Sequence, residues 1–268
     1  MAKSMRSRLR ASGDAPLDSA TDRKLGLRDK STTAPLAQAH VDRLALLQNH
    51  LWGERRRSVL LVLQGLDAGG KDGTIRHVFS GVNPQGCRVA SFKAPNDVER
   101  EHDFLWRVHR VCPRKGEIGI FNRSHYEDVV TTHVLGLIDD DERGARFGMI
   151  NDFEHLLVSQ GTAVVKVFLH ISKAEQRRRL QARVDDPEKR WKFDRADLEA
   201  REHWDEYQTA YAKAITATST AAAPWYVVPG DHKWVRNFAI SSIMVEVLEE
   251  MKPQLPPEPP GVEGTVIP

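Results

Sequence analysis

The stretch "VLQGLDAGGKDGTI", residues 62–75, decides the fold. Read from Gly65, it runs glycine, four residues, then Gly70 and Lys71, the spacing at which backbone N–H groups wrap a phosphate. The apolar run "SVLLVLQ" (58–64) leads into it, and Ile75, Val78, Phe79 and Val82 recur behind it at helical spacing. Strand, glycine-rich turn and helix together are the context such a loop needs. The helix N-terminus and the loop amides then point at one anion, and Lys71 neutralises phosphate charge while reaching the group being transferred. Phosphate contacts are expected from Gly65, Ala68, Gly69, Gly70, Asp72, Gly73 and Thr74. One position breaks the pattern: the residue after the lysine, ordinarily a serine or threonine that holds Mg²⁺, is Asp72. Carboxylates are good hard ligands for Mg²⁺, and Asp67 and Asp72 flank the lysine. Asp67 lies inside the loop and is the better candidate. Asp72 begins the helix and would favour the positive end of its dipole, and Thr74 is displaced two residues from the usual hydroxyl.

Outward from the loop, apolar runs of strand length alternate with segments of helical period, the sequence form of a parallel sheet wrapped by helices. The runs are "SVLLVLQ" (58–64), "CRVASF" (87–92), "EIGIF" (117–121), "AVVKVFLHI" (163–171) and "WYVVP" (225–229). Their near-continuous hydrophobicity predicts a sheet covered on both faces. Phe147, Ile150, Phe153, Leu156 and Leu157 form a second helical stripe, and residues 36–52, with Leu44, Leu47 and Leu51 on one face, predict a helix beside the core. The expected fold is therefore α/β, a P-loop kinase-like three-layer arrangement with a five-stranded parallel sheet.

Composition bounds what the loop can belong to. At 268 residues and 40% hydrophobic, the chain closes one domain with appendages. A formal net charge of +2 is too near neutral for a general nucleic-acid binder, so any basic patch must be local. Cys87 and Cys112 are too few for a disulfide framework and match no metal-ligand spacing; they read as buried thiols in a reducing cytoplasm. No segment approaches eighteen uninterrupted apolar residues, so no membrane span is expected. Residues 1–34, basic and serine-rich at the start, read as an extended arm, 35–252 as the domain, and the proline-dense 253–268 as an extended tail.

The third strand leaves the sheet through "IGIFNRSHYEDV" (118–129), at the carboxyl edge where open parallel sheets bind ligands. Arg123 would contact the transferring phosphoryl group, and Glu127 or Asp128 would bring carboxylate to metal or acceptor. The competing reading is a capped loop in which Asn122 or Ser124 ends the strand. After the fourth strand, residues 173–207 are dense in arginine and lysine. Arg179 and Arg183 share a helical face, Pro187 interrupts the run, and Lys189, Arg190 and Lys192 bracket Trp191. This segment reads as a lid anchored by one aromatic, with its cations facing anion and water excluded beneath it.

In order and spacing over residues 35–252, "GLDAGGKDG", "FKAPNDVEREHDFLWR", "FNRSHYEDV", "ARVDDPEKRWKF" and "PWYVVPGDHKW" resemble the polyphosphate kinase 2 family, in the class that accepts both AMP and ADP. The resemblance implies reversible, Mg²⁺-dependent transfer of the terminal phosphoryl group of inorganic polyphosphate to AMP and ADP, giving ADP and ATP. It also implies a P-loop kinase core with a helical lid and assembly as dimers or tetramers. By resemblance Asp67 and Lys71 match the loop aspartate and lysine, Arg123 the arginine after the third strand, Lys93 a phosphate-facing lysine, and Arg179, Arg183, Lys189 and Lys192 the basic lid. Other classes carry aspartate where this chain has Asn122, so the second metal-binding carboxylate falls to Asp128, beside Asp67. In-line transfer without a covalent intermediate is expected, with relay through His125 as the alternative step. Two rival functions are an ATP-dependent nucleoside monophosphate kinase and a non-catalytic polyphosphate- or nucleotide-binding module.

Overall fold

The apolar runs become the five strands of one sheet in the computed structural model, which describes residues 4–11, 17 and 21–267. They are β1 (Ser58–Gln64), β2 (Cys87–Ser91), β3 (Ile118–Asn122), β4 (Thr162–His170) and β5 (Trp225–Pro229). Their order is β2-β3-β1-β4-β5, and every neighbouring pair is parallel. Central β1 has all seven residues buried, with Leu61 in register between Ile120 and Val165.

Because successive strand side chains point to opposite faces, β1 feeds two cores. Val59, Leu61 and Leu63 pack under a layer of α2 (Lys30–Glu54), α3 (Lys71–Val78) and α11 (Lys233–Met251). Leu60 and Val62 pack under the opposite layer, chiefly α7 (Asp140–Ser159) and α10 (Trp204–Thr218). Short helices α4 (Asp97–Arg100) and α5 (Trp106–His109) connect β2 to β3, α6 (Thr131–Val134) precedes α7 in the chain, and α8 (Lys173–Asp185) and α9 (Ala196–Glu202) follow β4. Local chemistry sets the helix starts. Asp29 accepts from the Thr32 N–H at 2.8 Å to begin α2, and Asp139 accepts from Glu142 at 2.8 Å to begin α7, which carries three acids in its first turn.

The chain leaves β1 toward β2 and leaves β3 toward β4, on opposite sides. The carboxyl ends of β1 and β3 therefore diverge and open a crevice between them, the switch point at which such sheets bind ligands. The loops after both strands border that crevice.

Three expectations need correction. The N-terminal arm is not extended throughout: Met5–Leu9 forms a helix, α1, capped by Ser4, and α2 already begins at Lys30. Met5 and Leu9 are buried in the first core, and Arg10 makes an antiparallel bridge to Tyr226, so this segment covers the outer edge of β5. Residues 1–3, 12–16 and 18–20 of the expected arm lie outside the described residues. The sheet is not covered on both faces throughout, because β2 is an edge strand with Val89 47% exposed. In the stripe of α7, Ile150, Phe153 and Leu157 are buried but Leu156 is exposed. The proline-rich tail runs without helix or strand from Lys252 to Ile267, and Leu255 and Pro256 pass over Gly53.

Candidate active site at the carboxyl edge of the sheet

The turn after β1 depends on backbone shapes that glycine tolerates. Gly65 has φ 149°, and a Cβ there would sit 2.8 Å from the Leu169 carbonyl oxygen. Gly70, with φ 104°, is the N-cap of α3. Lys71 is buried and turned back onto the loop, its Nζ donating to the carbonyls of Gly65 (2.6 Å) and Leu66 (3.4 Å). Burial pushes its pKa down; Asp67, Glu127 and Asp72 act against that, and Arg123 adds to it. Thr74 is fully buried, and its hydroxyl finds no hydrogen-bond partner among the described residues.

Across the crevice, Arg123 is paired with Asp67, joining the β3 loop to the P-loop. Its backbone is left-handed (φ 61°), as is that of Ala68 (φ 60°) in the facing loop. Such conformations cost non-glycine residues on the order of 1–3 kcal/mol and collect at functional sites. Burial works to raise the Asp67 carboxyl, but the charges of Lys71, Arg123 and Arg183 together hold it below the ordinary range. Burial likewise opposes the Arg123 charge, yet Asp67 and Glu127 raise its pKa.

Asn122, at the end of β3, donates its side-chain amide to Asp72 at 2.7 Å. P-loop nucleoside triphosphatases hold Mg²⁺ between a hydroxyl after the loop lysine and an aspartate from a neighbouring strand. Here the pairing recurs with the carboxylate on the opposite partner.

Glu127 and Asp128 separate, because adjacent residues of the 3-10 turn His125–Asp128 project about 120° apart. Glu127 is coupled by charge to Lys71 and Arg123 and accepts from Thr131 at 2.8 Å. Asp128 is buried against Arg107 (3.2 Å), with its carboxyl pushed up by burial, in a cleft of ≈ 470 Å³ that Phe104, Thr132, Glu142 and Arg146 also line. Asp128, expected to share a metal with Asp67, is paired with Arg107, and the acid coupled by charge to Lys71 and Arg123 is Glu127. His125 is completely buried among Tyr126 and Phe153 in the opposite core, which removes it from phosphoryl relay. Behind it Lys166 and Glu154 form a buried ion pair that also holds the Tyr126 hydroxyl, anchoring the turn from below.

The basic segment divides in two. Arg179 is buried on α8, and its guanidinium donates to the carbonyls of Ala68 and Gly69 (both 3.0 Å) and of Gly230 (2.5 Å). It holds the P-loop from behind, so of the expected lid at 173–207 it leaves the stretch from Arg183, in the last turn of α8, onward. There Arg183 meets Asp197 at 3.2 Å, Lys189 is paired with Asp186, and Lys192 lies 4.9 Å over the Trp191 ring. Trp191 is 78% exposed and anchors nothing. Lys93 is exposed at the end of β2, where its carbonyl accepts from Arg107 at 2.8 Å. Two buried cations at this edge, Arg107 and Arg236, were not singled out from the sequence. Arg107 lies within a matched motif, and Arg236 occupies an apolar helical stripe, a misplacement that was itself a signal.

A glycine-rich loop leading into a helix N-terminus, a buried lysine at its end and an arginine opposite are the features of a phosphotransferase of the P-loop kinase class. The chain belongs to the polyphosphate kinase 2 family, whose sequence model (Polyphosphate kinase 2, PPK2) matches residues 27–256. It is 54% identical over 225 residues to the AMP/ADP-polyphosphate phosphotransferase of Meiothermus ruber, covering 84% of each chain. It is 46% identical over 238 residues to the ADP-polyphosphate phosphotransferase of Rhodopseudomonas palustris, covering 84% of this chain and 82% of that one. The crystal structure of Polyphosphate Kinase 2 from Arthrobacter aurescens TC1 superposes with a TM-score of 0.95 at 41% identity, covering 98% of this chain and 95% of that one.

Proposed function

We propose that the protein transfers the terminal phosphoryl group of inorganic polyphosphate to AMP and to ADP, reversibly and in line, giving ADP and ATP. The observation that carries the reading is the Asp67–Arg123 pair bridging the two loops beside buried Lys71. Both cations are held in place before substrate arrives, one by carbonyls and one by a carboxylate, so phosphate oxygens can replace those acceptors without reorganising the loops. A nucleotide phosphate oxygen is already nucleophilic when ionised. The protein's task is to place two polyanions end to end and neutralise their repulsion. Lys71 and Arg123 do this at the group in transit, and Arg183, Lys189 and Lys192 close over it from the lid and exclude water.

Mg²⁺ is the implied cofactor, and the donor set fits it. Among the described residues no group of three or more His, Cys, Asp or Glu could cage a metal, which suits an ion bound through one or two carboxylates plus substrate phosphates. Asp67 and Asp72 would hold it, with the Asn122 amide orienting Asp72. When bound, the ion would neutralise charge on the phosphates. Glu127, on the acceptor side, sets which acceptors fit. We further infer a homo-oligomer in the cytoplasm. Among the described residues no helix is long and apolar enough to cross a membrane, and Cys87 and Cys112 are free thiols, as a reducing compartment keeps them; burial pushes their pKa up to about 11 and about 12.

The test is to mix the purified protein with Mg²⁺, AMP and either polyphosphate or ATP and to resolve the nucleotides over time. Polyphosphate should give ADP first and ATP later, and Glu127→Asn should change the ratio of the two steps more than polyphosphate affinity. Transfer from ATP alone would make it a nucleoside monophosphate kinase. A course that stops at ADP with polyphosphate in excess would refute the dual acceptor.

A further inference from the structure

The first turn of α11 concentrates positive charge with no acid of its own to offset it. Its N-cap, His232, makes no side-chain cap, and the turn contains no acid and instead carries Lys233 and Arg236. Cations at the positive end of a helix are unfavourable unless an anion is present. Arg236 is 3% exposed, and its only hydrogen-bond acceptor among the described residues is the Asn237 side chain, reached through Nε and Nη2. Buried guanidinium groups ordinarily face a carboxylate. This one neighbours a second guanidinium, Arg179, and burial with that repulsion pulls its pKa down to about 10. The nearby acids are engaged elsewhere: Asp231 accepts from Thr21 and from the Ser172 N–H, and Glu175 pairs with Arg178 and Arg179.

The guanidinium is aimed at the P-loop. Its Nη1 lies 2.0 Å from where a Cβ of Gly70 would be, and its Nη2 3.5 Å from that of Gly73. Gly70 thus leaves room that a side chain would take from this guanidinium, and Gly73 lies in ordinary contact with it. It reaches the loop from the flank toward β5, whereas Arg123 and Glu127 border the loop on the β3 side.

We propose that Arg236, Lys233 and the open N-terminus of α11 form an anion site that continues the P-loop on its β5 flank and holds the inner phosphates of inorganic polyphosphate. The assignment rests on the phosphotransferase reading above for the identity of the anion. A linear polyanion must leave the loop somewhere, and the acceptor side is bordered by the Glu127 carboxylate. The β5 flank offers two cations and the open end of α11, and its acids, Asp231 and Glu175, are already engaged by Thr21, Ser172, Arg178 and Arg179. A phosphate seated there would receive charge-assisted bonds from Nη1, which now donates to no described residue, and would relieve the repulsion between Arg236 and Arg179.

The experiment measures binding of inorganic tripolyphosphate, by calorimetry and by thermal shift, to the full chain and to Lys233→Ala and Arg236→Gln, alongside KM for polyphosphate and for AMP. Loss of one charge-assisted phosphate contact should weaken tripolyphosphate roughly tenfold in each variant. The slope of log affinity against log salt should flatten by about one per cation removed. KM for polyphosphate should rise with the binding loss, while KM for AMP stays within about twofold, less than a single lost contact would cause. Lys233 is exposed, so its variant decides the matter even where Arg236→Gln does not fold. Unchanged tripolyphosphate affinity in folded Lys233→Ala, or equal losses for tripolyphosphate and AMP, would overturn the assignment. A wild-type protein that binds tripolyphosphate through these residues but transfers nothing would refute the catalytic reading and uphold the site.

Discussion

Replacing Arg179 with glutamine should cost the protein stability, and the cost distinguishes a loop clasp from a phosphate ligand. Its guanidinium donates to Ala68, Gly69 and Gly230 and receives charge support from Glu175. Glutamine is shorter and uncharged, so three carbonyls would lose a charge-assisted donor inside a buried pocket. Such bonds are each worth about 1.5–3 kcal/mol, but they are not additive where water can partly replace them. Breaking a buried charge arrangement by removing one partner costs about 3–5 kcal/mol, and that is the figure expected here. For chains of this size, at about 2–4 °C per kcal/mol, it becomes a fall in Tm of roughly 6–20 °C. Differential scanning calorimetry without ligand measures it directly. Arg183→Gln serves as the companion, since its 3.2 Å contact to Asp197 is partly exposed and should be worth less than about 1 kcal/mol. An Arg179→Gln protein that melts within about 2 °C of the parent, a shift too small for a lost clasp, would refute the argument. Weakened polyphosphate binding in that same protein would return Arg179 to the lid.

Lys71→Ala should lower turnover by about three orders of magnitude or more while the circular dichroism spectrum stays native, and near-normal activity would remove the P-loop reading. Replacing both Lys189 and Lys192, whose side chains are exposed, should flatten the salt dependence of polyphosphate binding; an unchanged slope would make them solvated surface charges. Burial and the neighbouring Asp67 charge raise the Asp197 pKa to about 6 against the pull of Arg183. The folded state therefore holds the extra proton between the unfolded and folded values, and stability should fall as pH rises from about 4 to about 6. Asp197→Asn should remove that contribution, read by urea denaturation across the interval, and a slope that persists would refute it.

How far the sequence could be read depended on whether a property is local. Five consecutive apolar residues, Val59 to Leu63, define β1 wherever it sits, and a glycine at φ 104° declares itself through the spacing before Lys71. The position of β2 at an edge is tertiary, and nothing in "CRVAS" announces it. Glu127 and Asp128 are adjacent acids, and only the 3-10 turn sends one to the crevice and the other to Arg107. Arg179 and Arg183 share a helical face, yet one turn of rise carries the first to the loop carbonyls and the second to Asp197. Arg236 was discoverable. It stands in register with Ala239, Ile240 and Ile243, where a cation must have a reason to be buried.

The short N-terminal helix bears on where the chain can be cut. Residues 27–256 are the homologous unit, but the unit that folds without an open flank begins earlier. Arg6 donates to the Tyr226 hydroxyl at 3.1 Å, Glu246 receives the Met5 N–H at 2.9 Å, and the Ala11 N–H reaches the Trp225 carbonyl at 2.8 Å. An expression fragment trimmed to the homologous boundary would present β5 as an unprotected border, a template on which a second copy could add a strand. Its enzyme chemistry would be intact in principle, yet its shelf life and solubility would suffer. Fusion partners and affinity handles are better attached through the proline-rich end, where the chain already runs free of the sheet.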